Sequence, residues 1–591
     1  MARFGFRKGQ TRYSENMKSE KVKALPTKTV NSAGGTNFKI TDPSERLLHI
    51  AAAGFFNQDT FYDAKGNIDS LTGNAKELIE TAVEVATRKD GFHKDLVQIA
   101  NWLRNEAQNR LTPQVLMAIA AKMPQTKPFV REYTQKTVQR ADEIRTLFAM
   151  WNYLFGVQSS GKPYIKASVP NSLKRGLMDC FVKFPPQLIL KYHDTRTHPT
   201  FGDVLRSVDL NRKGRQYKRY WNPDLYGYLM ANVLPDSAKD SLPEVWARKK
   251  FFEATEFTDE VKRLTSKGGI MWNDVASHFG STKETWEWAA YNAPHMALMK
   301  NLRNMAELGI SPAAATKAAE RIKKPELLLQ SRQYPYEFLS AYAELGGQIN
   351  RYDNYGKEIK IIGGAWLQST TTSTLKRAIV QALDTRVDQL PKISGTTVFI
   401  YDLSGSMRKS VSEKSVVQLV DIAAVQTAIG IRQCEHAIAI PFGDIAVIRE
   451  VNPDDTIISN AIKLAQNGPD RESFVGHSSM AGSAIALLSK KGIKVDRIIV
   501  YSDMQVYGSR NVAEFAEEWQ NYKHHVNPDA HLHSVNLAGT IGSIMPNEDP
   551  KTHLISGFNE KQFEMMLRAE STNQFATEGI DKAEATLNKE A

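Results

Sequence analysis

Ten consecutive residues fix most of what this chain can become. Val398, Phe399, Ile400 and Tyr401 form an unbroken apolar and aromatic run, and Asp402-Leu403-Ser404-Gly405-Ser406-Met407 follows at once. A run that is apolar at every position reads as a strand buried on both faces, as in a parallel sheet covered by helices. The small polar residues cannot continue that core, so Asp402, Ser404 and Ser406 stand at a strand end. In an open α/β sheet the carboxyl edge is where ligands bind. One carboxylate and two hydroxyls at alternating positions offer hard oxygens, the donors that suit Mg²⁺ or another hard divalent cation.

A cation site needs more ligands, and two later stretches supply candidates. Gly476-His477-Ser478-Ser479-Met480-Ala481-Gly482-Ser483 reads as a loop entering a helix, and Arg497-Ile498-Ile499-Val500-Tyr501-Ser502-Asp503 as a second buried strand ending in an acid. The order DxSxS, Gly-led Ser loop, strand-terminal Asp resembles the metal-ion-dependent adhesion site of von Willebrand factor A domains. Carried over residue by residue, the resemblance implies Asp402, Ser404, Ser406, Ser479 and Asp503 as the ligand set. Ser479 stands where a Thr is usual, with Ser478 beside it. The bland reading of a lone DxSxS is a turn or a helix N-cap; the ordered partners favour the metal.

Around these strands the pattern alternates. Further strand-like runs fall at 437–440, 498–501 and 533–537, and helical runs at 371–387, 411–430, 481–490 and 511–521. Alternation of this kind predicts a doubly wound, mostly parallel sheet.

The region before it reads differently. Thr41-Asp42-Pro43-Ser44 is a helix-start signature, and helical patterns recur at 76–88, 93–109, 113–122, 141–154, 171–183, 285–308 and 311–323, separated by Pro113, Pro170 and Pro185-Pro186. Leu298, Leu302 and Met305 fall at i, i+4 and i+7, a buried stripe. Helix pairs without a strict period stack as an irregular solenoid, an architecture that suits binding a long partner better than small-molecule catalysis. At 591 residues the chain exceeds what one core serves. The expected organisation is a basic arm at 1–40, an all-α repeat domain at 41–365, the α/β domain at 366–565 and a tail at 566–591.

The net charge of +11 points to a polyanionic partner. The most basic folded-looking stretch, 206–221, carries Arg206, Arg212, Lys213, Arg215, Lys218 and Arg219 interleaved with Tyr217, Tyr220 and Trp221. Guanidinium forks hold phosphates and rings stack on unpaired bases, a combination that fits single-stranded or irregular RNA. Lys174, Arg175, Lys183, Lys191 and Arg196 lie upstream; the plain alternative for all of them is a solvated face. Only Cys180 and Cys434 occur, so neither a disulfide framework nor a thiolate metal site is expected. The N-terminus has no apolar run after its first charges, and no stretch is long enough to span a bilayer. A reduced, cytoplasmic setting is the expectation.

An all-α region followed by such an α/β domain is similar to the TROVE family of Ro 60-kDa RNA-binding proteins. The residues that carry this are Arg46-Leu47-Leu48-His49 through Gly54 and Phe61-Tyr62, then His295 to Met305, then Tyr334-Pro335-Tyr336-Glu337-Phe338. The resemblance implies a monomeric ring of HEAT-like helical repeats closed by the A domain. It implies binding of small structured Y-like RNAs on a basic outer surface and of single-stranded ends of misfolded RNA, in quality control or as a scaffold. An exoribonuclease, or another protein held through the A domain, is an implied partner. Thr200-Phe201-Gly202-Asp203 departs from the family, where some relatives carry a basic or His-containing stretch. The competing readings are a metal-dependent protein-binding scaffold and an enzyme. The latter rests on His477 alone, with no second acid or base placed beside it, so no catalytic activity is expected.

Overall fold

The computed structural model describes residues 28–30, 34–38, 42–53, 74–156, 167–194, 198–208, 223–231, 238–331, 333–347, 365–411, 415–468, 471–508, 513–538, 543–545, 549, 551–557, 562–563, 566–567 and 570. Their strands are β1 (Lys28–Val30), β2 (Thr36–Phe38), β3 (Ile393–Asp402), β4 (Cys434–Phe442), β5 (Arg497–Ser502), β6 (His531–Asn536) and β7 (Thr552–Ser556). The last five form one sheet in the order β4-β3-β5-β6-β7, parallel at every pairing. The doubly wound α/β architecture read from the sequence is therefore present, with the 398–401 run in the middle of the sheet. β7 adds a strand to those expected. It has only five residues, and β6 supplies its pairing partner.

Helices cover both faces because the strands are apolar on both. On one side Val398, Ile400, Ile498 and Val500 pack with Ile485 of the helix Gly482–Lys491 and with Trp519 and Tyr522 of Phe515–His525. Tyr522 keeps its hydroxyl satisfied there, donating to the Ile493 carbonyl (2.9 Å) and accepting from the Val495 N–H (3.1 Å). On the other side the helix Leu419–Gln433 lies against β3 so closely that a Cβ on Gly430 would run into the Phe399 ring. Gly430→Ala is accordingly expected to cost about 1–3 kcal/mol through overpacking, read as a lowered melting temperature; an unchanged melt would contradict this packing.

Two compact units emerge. The described residues from Asn74 to Thr285 form one; those up to Ala53 join those from Trp286 onward in the other. Helices of the 41–365 span thus fall in both. The helix Pro43–Ala53 starts where expected, with the Asp42 carboxylate accepting from the Ser44 and Glu45 N–H groups (2.9 and 3.0 Å). It belongs with the sheet: His49 Nε2 lies 3.2 Å from Asn536 Nδ2 of β6, and β2 is tied by reciprocal Phe38–Ser543 backbone bonds (2.9 and 3.0 Å). The expected 285–308 helix is three pieces, Lys283–Asn292, His295–Lys300 and Leu302–Glu307. Pro294 cannot donate into a continuing helix. The stripe itself survives, with Leu298, Leu302 and Met305 all buried.

In the helical unit Lys127–Thr137 packs on Asn171–Lys183 across Gly176, where a Cβ would strike the Thr134 side chain. A buried fork from Arg104 to Glu143 (Nε to Oε1, 2.9 Å) ties Asp95–Asn105 to Ala141–Phe155. Glu143 also accepts the Gln139 N–H (2.8 Å), so its remaining oxygen is used. Both cysteines are free thiols, in different units.

Candidate functional site

The carboxyl edge of β3 and β5 assembles most of the expected cation site. The register pairs Tyr401 with Tyr501, so Asp402 comes level with Ser502 and Asp503 follows one step beyond. Asp402 is fully buried; its Oδ1 accepts the Ser404 N–H (2.8 Å) and its Oδ2 accepts the Ser502 hydroxyl (2.8 Å). Ser404 Oγ and Ser406 Oγ lie 3.1 Å apart, and the Ser406 hydroxyl reaches the Asp503 carboxylate. Asp503 also takes the Gln505 N–H (3.0 Å). Met504, at φ 64, adopts a left-handed conformation costly for a side-chain residue, and its N–H is held by Ser502 Oγ (3.0 Å).

The 476–480 loop comes to this edge through its backbone. The Gly405 N–H donates to the His477 carbonyl (3.1 Å) and the Met480 N–H to the Gly443 carbonyl (2.9 Å). Gly476 sits at φ 87 against Asp444, where a Cβ would collide with the carboxylate that accepts the Ser478 N–H (3.2 Å). Ser479 is buried on this loop, with its carbonyl accepting from Tyr507 N–H (3.1 Å). Asp402, Ser404, Ser406 and Asp503 are thus linked by hydrogen bonds and charge, and the loop that carries Ser479 is tied to the same edge through the Gly405–His477 backbone bond. Ser502 is the residue that sequence reasoning missed.

The electrostatics fit a cation. Burial raises the pKa of Asp402 above the usual carboxylate range, and the charge on Asp503 raises it further; burial also raises Asp503, against smaller opposing pulls from the Gln505 N–H, the Ser406 hydroxyl and Lys409. Two acids buried together resist ionising, and a hard divalent cation is what relieves that conflict. Among the described residues no three His, Cys, Asp or Glu side chains group for a metal, so hydroxyl oxygens would have to complete the shell.

The basic residues divide. Lys174 and Arg175 lie on Asn171–Lys183, whose Leu173, Gly176 and Leu177 face inward. Arg175 is exposed and Lys174 half-buried, and neither has an ion pair among the described residues. Lys183 is exposed as well, but its ammonium is committed to the Gln135 and Val138 carbonyls (2.9 and 3.0 Å). Lys191 ends the short helix Pro186–Lys191 beside the Tyr192 ring. Arg206 is exposed and donates to the Met230 carbonyl (3.3 Å). Arg196, Arg212, Lys213, Arg215, Lys218 and Arg219, with their interleaved aromatics, lie outside the described residues. The Thr200 stretch is a helix start: Asp203 Oδ2 accepts the Thr200 N–H (2.8 Å) and hydroxyl (2.9 Å) and lies 2.9 Å from His198 Nδ1. His477, the one residue weighed as a catalyst, is exposed with its ring edge-on to Phe474.

Comparison with known proteins adds three findings. A TROVE domain model matches residues 238–376. Telomerase protein component 1 of Mus musculus is 20% identical over 381 residues, and that of Rattus norvegicus 20% over 301 residues. The match takes in 56% and 42% of this chain but only 14% and 11% of those relatives' lengths. The crystal structure of the Deinococcus radiodurans Ro (Rsr) protein superposes with a TM-score of 0.61 at 17% identity, covering 90% of this chain and all of that one. That likeness is one of fold, helical repeats plus an A-like sheet domain. No helix among the described residues is long and apolar enough to cross a membrane.

Proposed function

We propose, from the premise that this chain is a Ro-like TROVE protein, that it is the RNA-binding component of a ribonucleoprotein. Its ligands on this reading are small structured non-coding RNA and the single-stranded ends of misfolded RNA. The role is quality control or scaffolding, without a catalytic step of its own. The observation that carries it is the pair Lys174 and Arg175, adjacent on one helix, Arg175 exposed and Lys174 half-buried, with no carboxylate partner among the described residues. Cations left unneutralised on a rigid helix are what phosphates require.

In the same reading the helical repeats, taken as residues 41–365, form the RNA-binding ring, and residues 366–565 form a von Willebrand factor A-like domain. Asp402 and Asp503 would carry the charge of a bound Mg²⁺, with Ser404, Ser406 and Ser479 as neutral oxygens. The cation would supply a Lewis-acid anchor for a partner's carboxylate. An exoribonuclease is one such partner, and the cytoplasm is the setting.

A second reading, a metal-dependent protein-binding scaffold with only non-specific RNA contact, is favoured by one feature. Ile445 and Phe474 are both exposed, and the Ile445 N–H bonds the carbonyl of Val475, next to Phe474 on the segment that leads to Ser479 (3.1 Å). Exposed apolar side chains near a centre that would seek a carboxylate once a cation is bound suit a protein-binding surface.

Sequencing the RNA that co-purifies with the protein from its own cells, with and without crosslinking, separates the two. A few enriched structured small RNAs are expected. Uniform background RNA that washes off at moderate salt would contradict the first reading and leave the second.

A further inference from the structure

We propose that a cavity in the helical unit holds one unstacked keto nucleobase, guanine or uracil. The inference rests on the RNA-binding reading above but uses a different place and different residues from the Lys174 and Arg175 face. The cavity has a volume of about 950 Å³ and is walled by Ala141–Phe155, Pro186–Lys191, Pro223–Ala231, Pro243–Glu253 and Trp272–Phe279. That is ample for a nucleotide.

The acids on its wall already have partners. Asp142 accepts from Arg140 (2.9 Å) and Arg110 (3.3 Å), Glu253 from Lys250 (3.1 Å) and Asp274 from the Met271 N–H (3.1 Å). Asp194 lies within electrostatic reach of Arg145. The donors are less committed. Arg248 is only 6% exposed; its Nη2 bonds the His193 carbonyl (3.4 Å) and stands 3.6 Å from Asp274, while its Nη1 has no hydrogen-bond partner. Lys191 has the Tyr192 ring 5.3 Å from its ammonium and no acid within pairing distance among the described residues. That Arg248 Nη1 is unpaired and also closed off from solvent, so a small rotation of the guanidinium is what would bring it to a ligand acceptor in the cavity and relieve the cost of an unpaired buried donor.

Rings supply the rest. Tyr192, Tyr228 and Phe252 line the cavity, and Phe252 is 41% exposed with the Arg248 guanidinium 5.1 Å from its centroid. Spare donors beside aromatic faces ask for a flat ligand whose edge carries acceptors. Guanine offers O6 and N7 and uracil its carbonyls, whereas adenine and cytosine put an amine donor on that edge. Protein recognition of unpaired RNA bases uses this pairing of stacking and edge contacts.

Such a base could come from an unpaired nucleotide of an RNA or from a free nucleotide, and the test distinguishes them. Labelled oligouridine and oligoadenosine of about eight nucleotides are titrated against the full chain, with UMP and AMP as competitors. A blunt hairpin RNA is titrated in parallel. Oligouridine is expected to bind about tenfold tighter than oligoadenosine. Phe252→Ala, at an exposed ring whose loss the fold tolerates, should weaken oligouridine about tenfold. Arg248→Lys, which keeps the charge and loses the fork, should bring the ratio to near one. The hairpin affinity should not move in either variant. Displacement by UMP but not AMP would mean that the nucleotide alone suffices; displacement only by oligouridine would assign the pocket to RNA. Equal binding of the two oligomers by the unmodified chain, or a preference that survives both variants, would overturn the proposal. If the hairpin fails to bind while the uridine preference stands, the basic-face reading fails and the pocket does not.

Discussion

Replacing Asp402 by Asn is expected to abolish the stabilisation of the sheet domain by Mg²⁺. A ligand that binds only the folded state adds about 2.7 kcal/mol at a hundredfold excess over its dissociation constant. For a domain of this size that raises the melting temperature by roughly 5–10 °C. The variant keeps the hydrogen bond from the Ser404 N–H, and the Ser502 hydroxyl can rotate to accept from the new amide. What it loses is one of two carboxylates that burial holds above the usual pKa range, Asp402 being raised further by the charge on Asp503. In chelator the variant should therefore melt at or above the parent, and in Mg²⁺ below it. Melting curves in EDTA and in millimolar Mg²⁺ read both; a Mg²⁺ response that persists in the variant would remove Asp402 from the site.

Mild acid is expected to destabilise the same unit through histidines at its other end. His531 and His533 on β6 and His553 on β7 stack, with ring centroids 5.5 Å (His531 to His553) and 4.8 Å (His533 to His553) apart. Arg497, Glu570 and Lys551 surround them. Burial lowers all three pKa values from 6.5; Glu570 pulls His531 and His533 part of the way back, whereas the other two histidines push His553 further down, to about 2. A histidine held neutral in the folded state costs nothing above pH 6.5. Below that, the unfolded chain takes up a proton the folded chain refuses, and stability falls by about 1.4 kcal/mol per pH unit for a histidine as strongly depressed as His553. For His553, held down to about 2, this amounts to about 2 kcal/mol between pH 6.5 and 5.0; His531 and His533 add to the fall in the same direction. Glu570 acts in a different window: its carboxylate, despite burial, is held below its ordinary 4.5 by His533 and Arg497, so its contribution is lost only below pH 4.5. Melting temperature against pH should fall from 6.5 downward, and His553→Phe should remove most of that slope. A flat profile between pH 7 and 5 would contradict the account.

The chain wrote some of this plainly and some not at all. The strand at 398–401 and its polar exit are local facts, so Asp402, Ser404 and Ser406 could be placed from their own neighbours. Ser502 could not, because it meets Asp402 only through the β3–β5 register, which a single strand does not declare. The helix Pro43–Ala53 was visible as a helix, yet its place beside β6 depends on His49 and Asn536, 487 residues apart. The histidine stack shares that property: neither His533 nor His553 is informative until β6 and β7 pair. Along the helical region, apolar periodicity marked buried faces correctly but ran through the Pro294 break. Periodicity records which side is buried; the missing proline N–H decides where the helix stops.

The central claim is that the helical unit holds RNA phosphates through Lys174 and Arg175. Its most direct test is the affinity for a hairpin RNA with a single-stranded 3′ tail, measured over a salt series for the parent and for Lys174→Ala/Arg175→Ala. Each lost phosphate contact shallows the dependence of log K on log salt by about 0.7–0.9. The account predicts a slope shallower by about 1.5 together with weaker binding. Equal slopes in two equally folded proteins would contradict it.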